Sequence, residues 1–208
     1  YAYGDIDNDG QKEWLIGSQV RSDLGSFVLD IISKENDRLS VSRTHLDPLG
    51  YTLSAEGAML LFDINGDGWQ DLLFNDYWSD SQNGSSPLGI LFNDEGQFDF
   101  SNPIWVTNPY PGLEMKEAII EDFDDDGTTE ILIHWAMLYP ESFKNLYQEG
   151  QFVANRLAIY QFRDGMLVET TQEFIPEYDK SARGVSGQLG GAVMTYIDIN
   201  GDGYKDIH

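Results

Sequence analysis

The 208-residue chain contains no cysteine, three histidines, and 12 lysines and arginines against 36 aspartates and glutamates, giving a formal charge of −24. Each shortage closes off a class of function. Without cysteine there is no disulfide, no thiolate zinc site and no cysteine nucleophile. Nucleic-acid binding needs a basic face to neutralise phosphates, and the acidic excess also opposes attraction to anionic membrane surfaces. No apolar run approaches the roughly 20 residues that span a bilayer, so direct membrane insertion is not expected. The chain starts YAYGDIDNDG, with neither a basic stretch nor an apolar leader, and stops at KDIH just as an apolar strand pattern resumes. It therefore reads as a segment of something longer. Catalytic motifs are missing too. There is no GxSxG elbow and no phosphate loop, and His45, His134 and His208 are scattered. The chain itself is not expected to be an enzyme.

What is present is sufficient for a packed core: 41% of residues are hydrophobic and 13% aromatic, so the acidity does not imply disorder. One acidic pattern, D-x-[DN]-x-D-G-x-x-[DE], occurs four times, as DIDNDGQKE from Asp5, DINGDGWQD from Asp63, DFDDDGTTE from Asp122 and DINGDGYKD from Asp198. The period is about 60 residues, longer in the third copy, which suits one supersecondary unit per repeat. Short apolar stretches precede the loops (AMLLF, AII, VMTYI) and follow them (WLIG, LLF, ILIHW). They are of strand length and too short for helices. A second pair of strands is expected in each full period: Phe27–Ile32 with Leu39–Thr44 across KEND, Leu88–Phe92 with Gln97–Phe100 across NDEG, and Leu157–Phe162 with Met166–Thr170 across RDG. Four-stranded antiparallel units at this period describe an all-β fold of β-propeller blades, which bury their faces only by stacking. The repeats run approximately over 1–57, 58–116, 117–190 and 191–208. The last is incomplete, so the chain is expected to be a partial propeller, completed by the remaining blades of a parent protein.

Carboxylates at alternate positions repel one another unless a cation lies among them, and an all-oxygen donor set selects a hard cation. The first six positions resemble an EF-hand loop, with ligands at 1, 3 and 5 and a turn glycine at 6. Position 12, where an EF-hand closes with Glu, is here Ile16, Phe74 and Ile133. The closing carboxylate must then be position 9, and the flanking strands reject an EF-hand. The competing explanation is a set of acidic Asx-turns, in which Asp and Asn bond their own backbone.

The motif, its strand flanks and its period resemble the calcium-bearing FG-GAP repeats of integrin alpha-subunit propellers and related bacterial surface repeats; LLFDINGDGWQDLLF and TYIDINGDGYKDI match most closely. The resemblance implies up to four bound Ca²⁺ ions. Side-chain ligands would be Asp5, Asp7, Asp9 and Glu13; Asp63, Asn65, Asp67 and Asp71; Asp122, Asp124, Asp126 and Glu130; and Asp198, Asn200, Asp202 and Asp206. Gln11, Trp69, Thr128 and Tyr204 would add carbonyls. Four divalent ions, supplying eight positive charges, would bring the formal charge from −24 to −16. Extracellular calcium modules bind with Kd of about 10⁻⁴ to 10⁻³ M, and such sites fill outside a cell and stay empty in resting cytosol. The expected location is therefore extracellular or at a cell surface.

Recognition usually resides on loops carried by a rigid scaffold. The connections on the face opposite the acidic loops carry Tyr77 and Trp78 in DYWSDSQNGSS, and Trp135 and Tyr139 in HWAMLYPESFKNLYQEG. These aromatics are candidates for contact with a protein or carbohydrate ligand, although packing between blades is the favoured role of Trp78 and Trp135. The favoured reading is a calcium-binding propeller segment acting as an adhesion or ligand-binding module. The alternative is a propeller part of an extracellular enzyme, such as a polysaccharide lyase or phospholipase.

Overall fold

The computed structural model describes residues 1–20, 26–46, 59–75, 88–106, 108–110, 113–136, 155–177, 196–197, 199, 201 and 206–207. Among these, sixteen strands and a single four-residue helix form, and no helix is long and apolar enough to cross a membrane. The chain divides into two compact units, Tyr1–Glu114 and Met115–His208.

The first unit holds two four-stranded antiparallel sheets. In the first sheet, β1 (Ala2–Gly4), β2 (Glu13–Val20), β3 (Ser26–Glu35) and β4 (Arg38–His45) lie side by side in chain order, the meander of a propeller blade. The second sheet contains β5 (Met59–Phe62), β6 (Asp71–Asn75) and β7 (Leu88–Leu91), with β8 (Asn93–Asp94) and β9 (Gln97–Phe98) as a separate hairpin. Its fourth strand is β10 (Ile104–Val106), paired to β7 through Ile104–Ile90, Trp105–Gly89 and Val106–Leu88. The second unit contains β11 (Glu114–Glu121), β12 (Glu130–Ala136), β13 (Asn155–Arg163) and β14 (Met166–Glu169) in that order, then helix α1 (Thr171–Phe174). A two-stranded sheet, β15 (Tyr196–Ile197) with β16 (Asp206–Ile207), brackets the fourth acidic loop. The fold is all-β and built of propeller-type blades.

Two local devices fix the meanders. The turns after the third strands place two consecutive residues at positive φ: Asn36 and Asp37, Glu95 and Gly96, Asp164 and Gly165. This is the two-residue hairpin geometry that follows the right-handed twist of the strands. At the other end, the residue before each acidic loop pairs with position 9 of the motif: Gly4 with Glu13, Phe62 with Asp71, and Ile197 with Asp206. Three loops thus share one register.

The second sheet departs from the expected strand at 97–100. The β8–β9 hairpin begins in the expected way, pairing Asn93 with Phe98. Asp99 then captures the backbone N–H and hydroxyl of Ser101 (3.0 and 2.6 Å), and the Asn102 N–H bonds the Asp99 carbonyl at 3.2 Å. Pro103 cannot donate to a ladder, and the chain rejoins the sheet at Ile104. The Asx-turn at Asp99 and Pro103 together keep this stretch out of the ladder, and the outer strand is Ile104–Val106.

The core of the first unit lies between its two sheets. Ala2, Ile6, Leu15, Phe27, Leu29 and Leu46 meet Met59, Leu72, Phe74, Leu91 and Phe98, and β1 runs beside β5. Close approach explains Gly4, where a Cβ would stand 2.1 Å from Gln70 Oε1. Phe74 lies over Gly89 and meets Trp105 edge-on at 5.7 Å between centroids. Phe74→Ala is expected to cost about 3–5 kcal/mol in chemical denaturation and to change Trp105 fluorescence. The same truncation at Leu39, which is 74% exposed, should stay within about 0.5 kcal/mol; equal losses at the two positions would contradict this placement of the core.

Candidate metal centre

Three of the four acidic loops are described, and they repeat one hydrogen-bond pattern. The position-1 carboxylate gathers the amides of the loop. Asp5 accepts from the Gly10 N–H (3.0 Å), Asp63 from Gly66, Asp67 and Gly68 (2.7–3.0 Å), and Asp122 from Asp126 and Gly127 (3.0 and 2.8 Å). Position 3 accepts from the amide of position 5, seen at Asp7, Asn65 and Asp124. Position 5 accepts from position 7, at Asp9, Asp67 and Asp126. These are successive Asx-turns.

The turns require left-handed backbone at positions 4 and 6. Gly10, Gly68 and Gly127 supply it at position 6, while Asn8, Gly66 and Asp125 supply it at position 4 with φ of 56°, 77° and 58°. Gly201, the position-4 residue of the fourth loop, has φ 78°. Asn, Asp and Gly are the residues that tolerate this region. The unassigned x at position 4 therefore carried a legible constraint.

Position 9 does something the motif alone did not indicate. Its carboxylate is buried beneath the loop and accepts the N–H of position 2: Glu13 from Ile6 at 3.0 Å, Asp71 from Ile64 at 3.0 Å, and Glu130 from Phe123 at 2.8 Å. The extra methylene of Glu leaves this bond unchanged. The remaining oxygen differs among loops. Asp71 Oδ1 accepts the Asn93 N–H at 2.9 Å. Glu130 Oε1 accepts from the Gln161 amide, whose own oxygen accepts from Arg163, and Arg163 in turn pairs with Glu173 at 2.8 Å.

The first and third loops each bring three carboxylates within 4.8 Å of one another: Asp5, Asp7 and Glu13, and Asp122, Asp124 and Glu130. Positions 1, 3 and 9 thus converge, whereas Asp9 and Asp126 are not part of those triads. Asp9 Oδ2 is occupied by the Gln11 side-chain amide at 3.0 Å. In the second loop the Asn65 amide donates to Asp67 at 2.8 Å, so position 3 is neutral and bonds position 5, where the first and third loops carry a carboxylate at both positions. Of the expected carbonyl donors, Gln11, Trp69 and Thr128 lie in described loops, with their amides bonded to position 5. Asp198, Asn200, Asp202 and Tyr204 lie outside the described residues. For Asp206 the backbone alone is described, in β16.

The electrostatics favour an added cation. Burial raises the Glu13 carboxyl above its ordinary range, and repulsion from Asp7, Asp9 and Asp5 adds to it, against the opposing Ile6 N–H. Glu130 is raised by burial, opposed by Gln161 and Phe123, with Asp124 and Asp126 pushing the same way as burial. Asp71 is pushed up to about 6, chiefly by burial, with Asp67 and Asp63 contributing and the Asn93 and Ile64 amides opposing. Asp5 Oδ1 is buried with no hydrogen-bond donor. An oxygen-only set with such an orphaned acceptor fits a hard divalent ion.

A family model described as an FG-GAP-like repeat matches residues 63–133. That stretch is an FG-GAP-like repeat. It runs from position 1 of the second loop to the strand after the third, about a third of the chain, and FG-GAP-like repeats are generally non-catalytic structural modules. No curated protein matches the chain.

The expected ligand-binding aromatics fare differently. Tyr77, Trp78 and Tyr139 lie outside the described residues. Trp135 is the one candidate for ligand contact among the described residues; it sits within β12, opposite Arg156, and is 0% exposed, which overturns that role and agrees with the packing favoured for it. Strand β12 runs on to Ala136, so the ring belongs to the core and cannot form a surface platform.

The sign of the pH dependence follows from Asp71. A carboxyl with a folded pKa of about 6 against 3.8 for the free group binds protons more tightly when folded, so its contribution to stability is fully present below about pH 4 and is lost as pH rises through about 6. Between pH 5 and pH 7 that loss is on the order of 1 kcal/mol. In chelator, urea midpoints are expected to drop between pH 5 and pH 7, and Asp71→Asn should remove much of that drop. A metal-free protein that gained stability over this interval would contradict the buried, charge-opposed placement of Asp71.

Proposed function

We propose that the chain is a calcium-binding FG-GAP-like propeller module of an extracellular or cell-surface protein. The observation that carries this reading is the convergence of positions 1, 3 and 9 in the first and third loops, with Asp5 Oδ1 buried and without a donor. Asx-turns account for the loop backbone. They do not account for two carboxylates directed at a common point with a buried acid, which is unfavourable until a cation lies among them.

Asp5, Asp7 and Glu13 would hold one ion and Asp122, Asp124 and Glu130 another, while Asp63, Asn65, Asp67 and Asp71 would form a site of lower charge. The fourth loop, Asp198 to Asp206, would complete the set of up to four. The ion would supply positive charge where burial and like-charge repulsion now raise the carboxyls, fixing the loop that joins the first two strands of each blade. Weak sites of this class fill at extracellular calcium levels, and FG-GAP repeats typically occur in extracellular proteins. Binding of a protein or glycan partner would fall to the connections at the opposite end of the blades, including those carrying Tyr77, Trp78 and Tyr139.

Calorimetric titration of the metal-stripped chain is expected to show calcium binding with Kd of about 10⁻⁴ to 10⁻³ M. Each filled site should stabilise the chain by roughly 0.4–1.4 kcal/mol at about 1 mM calcium. Magnesium, which demands tighter octahedral geometry, should give a smaller rise in melting temperature. Asp5→Ala should remove one site. Identical melting in calcium and chelator would leave the loops as acidic turns and remove the argument for an extracellular location.

A further inference from the structure

The first and second acidic loops belong to different blades of one compact unit, yet they are directly bonded to each other. Asn8 Nδ2, at position 4 of the first loop, donates to the carbonyl of Gly68, at position 6 of the second, at 3.2 Å. A second link is buried. Asn93 follows the third strand of the second blade and is 2% exposed. Its side-chain amide donates to the Ile6 carbonyl at 2.7 Å and the Gln70 carbonyl at 3.0 Å, its oxygen accepts the Gly96 N–H at 2.8 Å, and its backbone N–H donates to Asp71 at 2.9 Å.

Each of these partners belongs to one of the two loops or braces it. Ile6 is position 2 of the first loop, and its N–H binds the closing carboxylate Glu13. Gln70 and Asp71 are positions 8 and 9 of the second. Gly96 packs its Cα against Asp7, where a Cβ would stand 3.1 Å from the Asp7 Cβ. One buried amide, with both N–H donors and its oxygen bonded, therefore fixes both loops at once.

We propose that Asn93 is a positioning residue that couples cation binding at the first loop to cation binding at the second, so that filling either site raises the affinity of the other. The inference rests on the reading of the loops as calcium sites. Ordering one loop fixes the Ile6 carbonyl or the Asp71 carboxylate, and the Asn93 amide then holds the other loop in its bonded geometry, so the second ion orders less chain. Coupling of this kind is reciprocal.

Site-resolved titration distinguishes coupling from the underlying sites. The Gly10 and Gly68 amides each donate to the position-1 carboxylate of their own loop, so their NMR resonances in the full chain report the two sites separately as calcium is added. Disabling the first site with Asp5→Ala is expected to weaken the affinity read at Gly68 by at least fivefold. In an Asn93→Ser background the same change should alter it by less than twofold. Asn8→Gly, which keeps the left-handed backbone and leaves the buried amide in place, should retain at least half of the coupling measured as log affinity. An affinity at Gly68 that ignores Asp5→Ala overturns the proposal while leaving both loops of the unaltered chain as calcium sites. Coupling that persists undiminished in Asn93→Ser overturns the role of Asn93, and no response of either glycine to calcium removes the reading on which the proposal stands.

Discussion

A buried carboxylate that accepts the N–H of the second loop residue organises each described acidic loop. Glu13, Asp71 and Glu130 make this bond at 2.8–3.0 Å. It closes the loop from below and joins it to the first residue of the following strand. An ionised carboxylate in a low-dielectric site is costly unless hydrogen bonds or a cation offset the loss of water. The loop supplies one amide, and the neighbouring strand or hairpin supplies another: Asn93 beside Asp71, and Gln161 beside Glu130. The protein partly stabilises its own closing acids, and the raised carboxyls show that the compensation is incomplete.

The blade architecture follows from the same constraint. Position 9 pairs across the sheet with the residue preceding position 1, so closing the loop also sets the register of the first two strands. A slip of one residue would turn Leu72 and Phe74 to the wrong faces. The tight turns with two left-handed residues set the third and fourth strands independently of any ion. Stability of the blades therefore comes from two sources, an apolar core between sheets and an acidic end whose balance depends on charge.

Much of this organisation was legible in the residues. The fourfold D-x-[DN]-x-D-G spacing, with short apolar runs either side, specifies strand, loop and strand because a carboxylate at alternate positions can bond the amide two residues on. KEND and RDG mark hairpins because Asn, Asp and Gly accept positive φ, and in NDEG Gly96 does so beside Glu95. The outer strand of the second blade was misread because Gln97–Phe100 has strand character locally, whereas Asp99 captures Ser101 and Pro103 delays re-entry until Ile104. Trp135 stayed a candidate for ligand contact because Tyr139 follows it in a polar stretch; strand pairing with Arg156 carries it into the core, in keeping with the packing reading. Asn93 gave no signal at all. Its importance lies in contacts to Ile6 and Gln70 that no local pattern encodes.

The most direct test of the account is a crystal structure of the chain grown in millimolar calcium. It should show an ion about 2.3–2.6 Å from oxygens of Asp5, Asp7 and Glu13, and another from those of Asp122, Asp124 and Glu130, with the bonds from Ile6 and Phe123 to the closing carboxylates kept. Well-ordered loops of the same geometry, holding only water at those points, would contradict it.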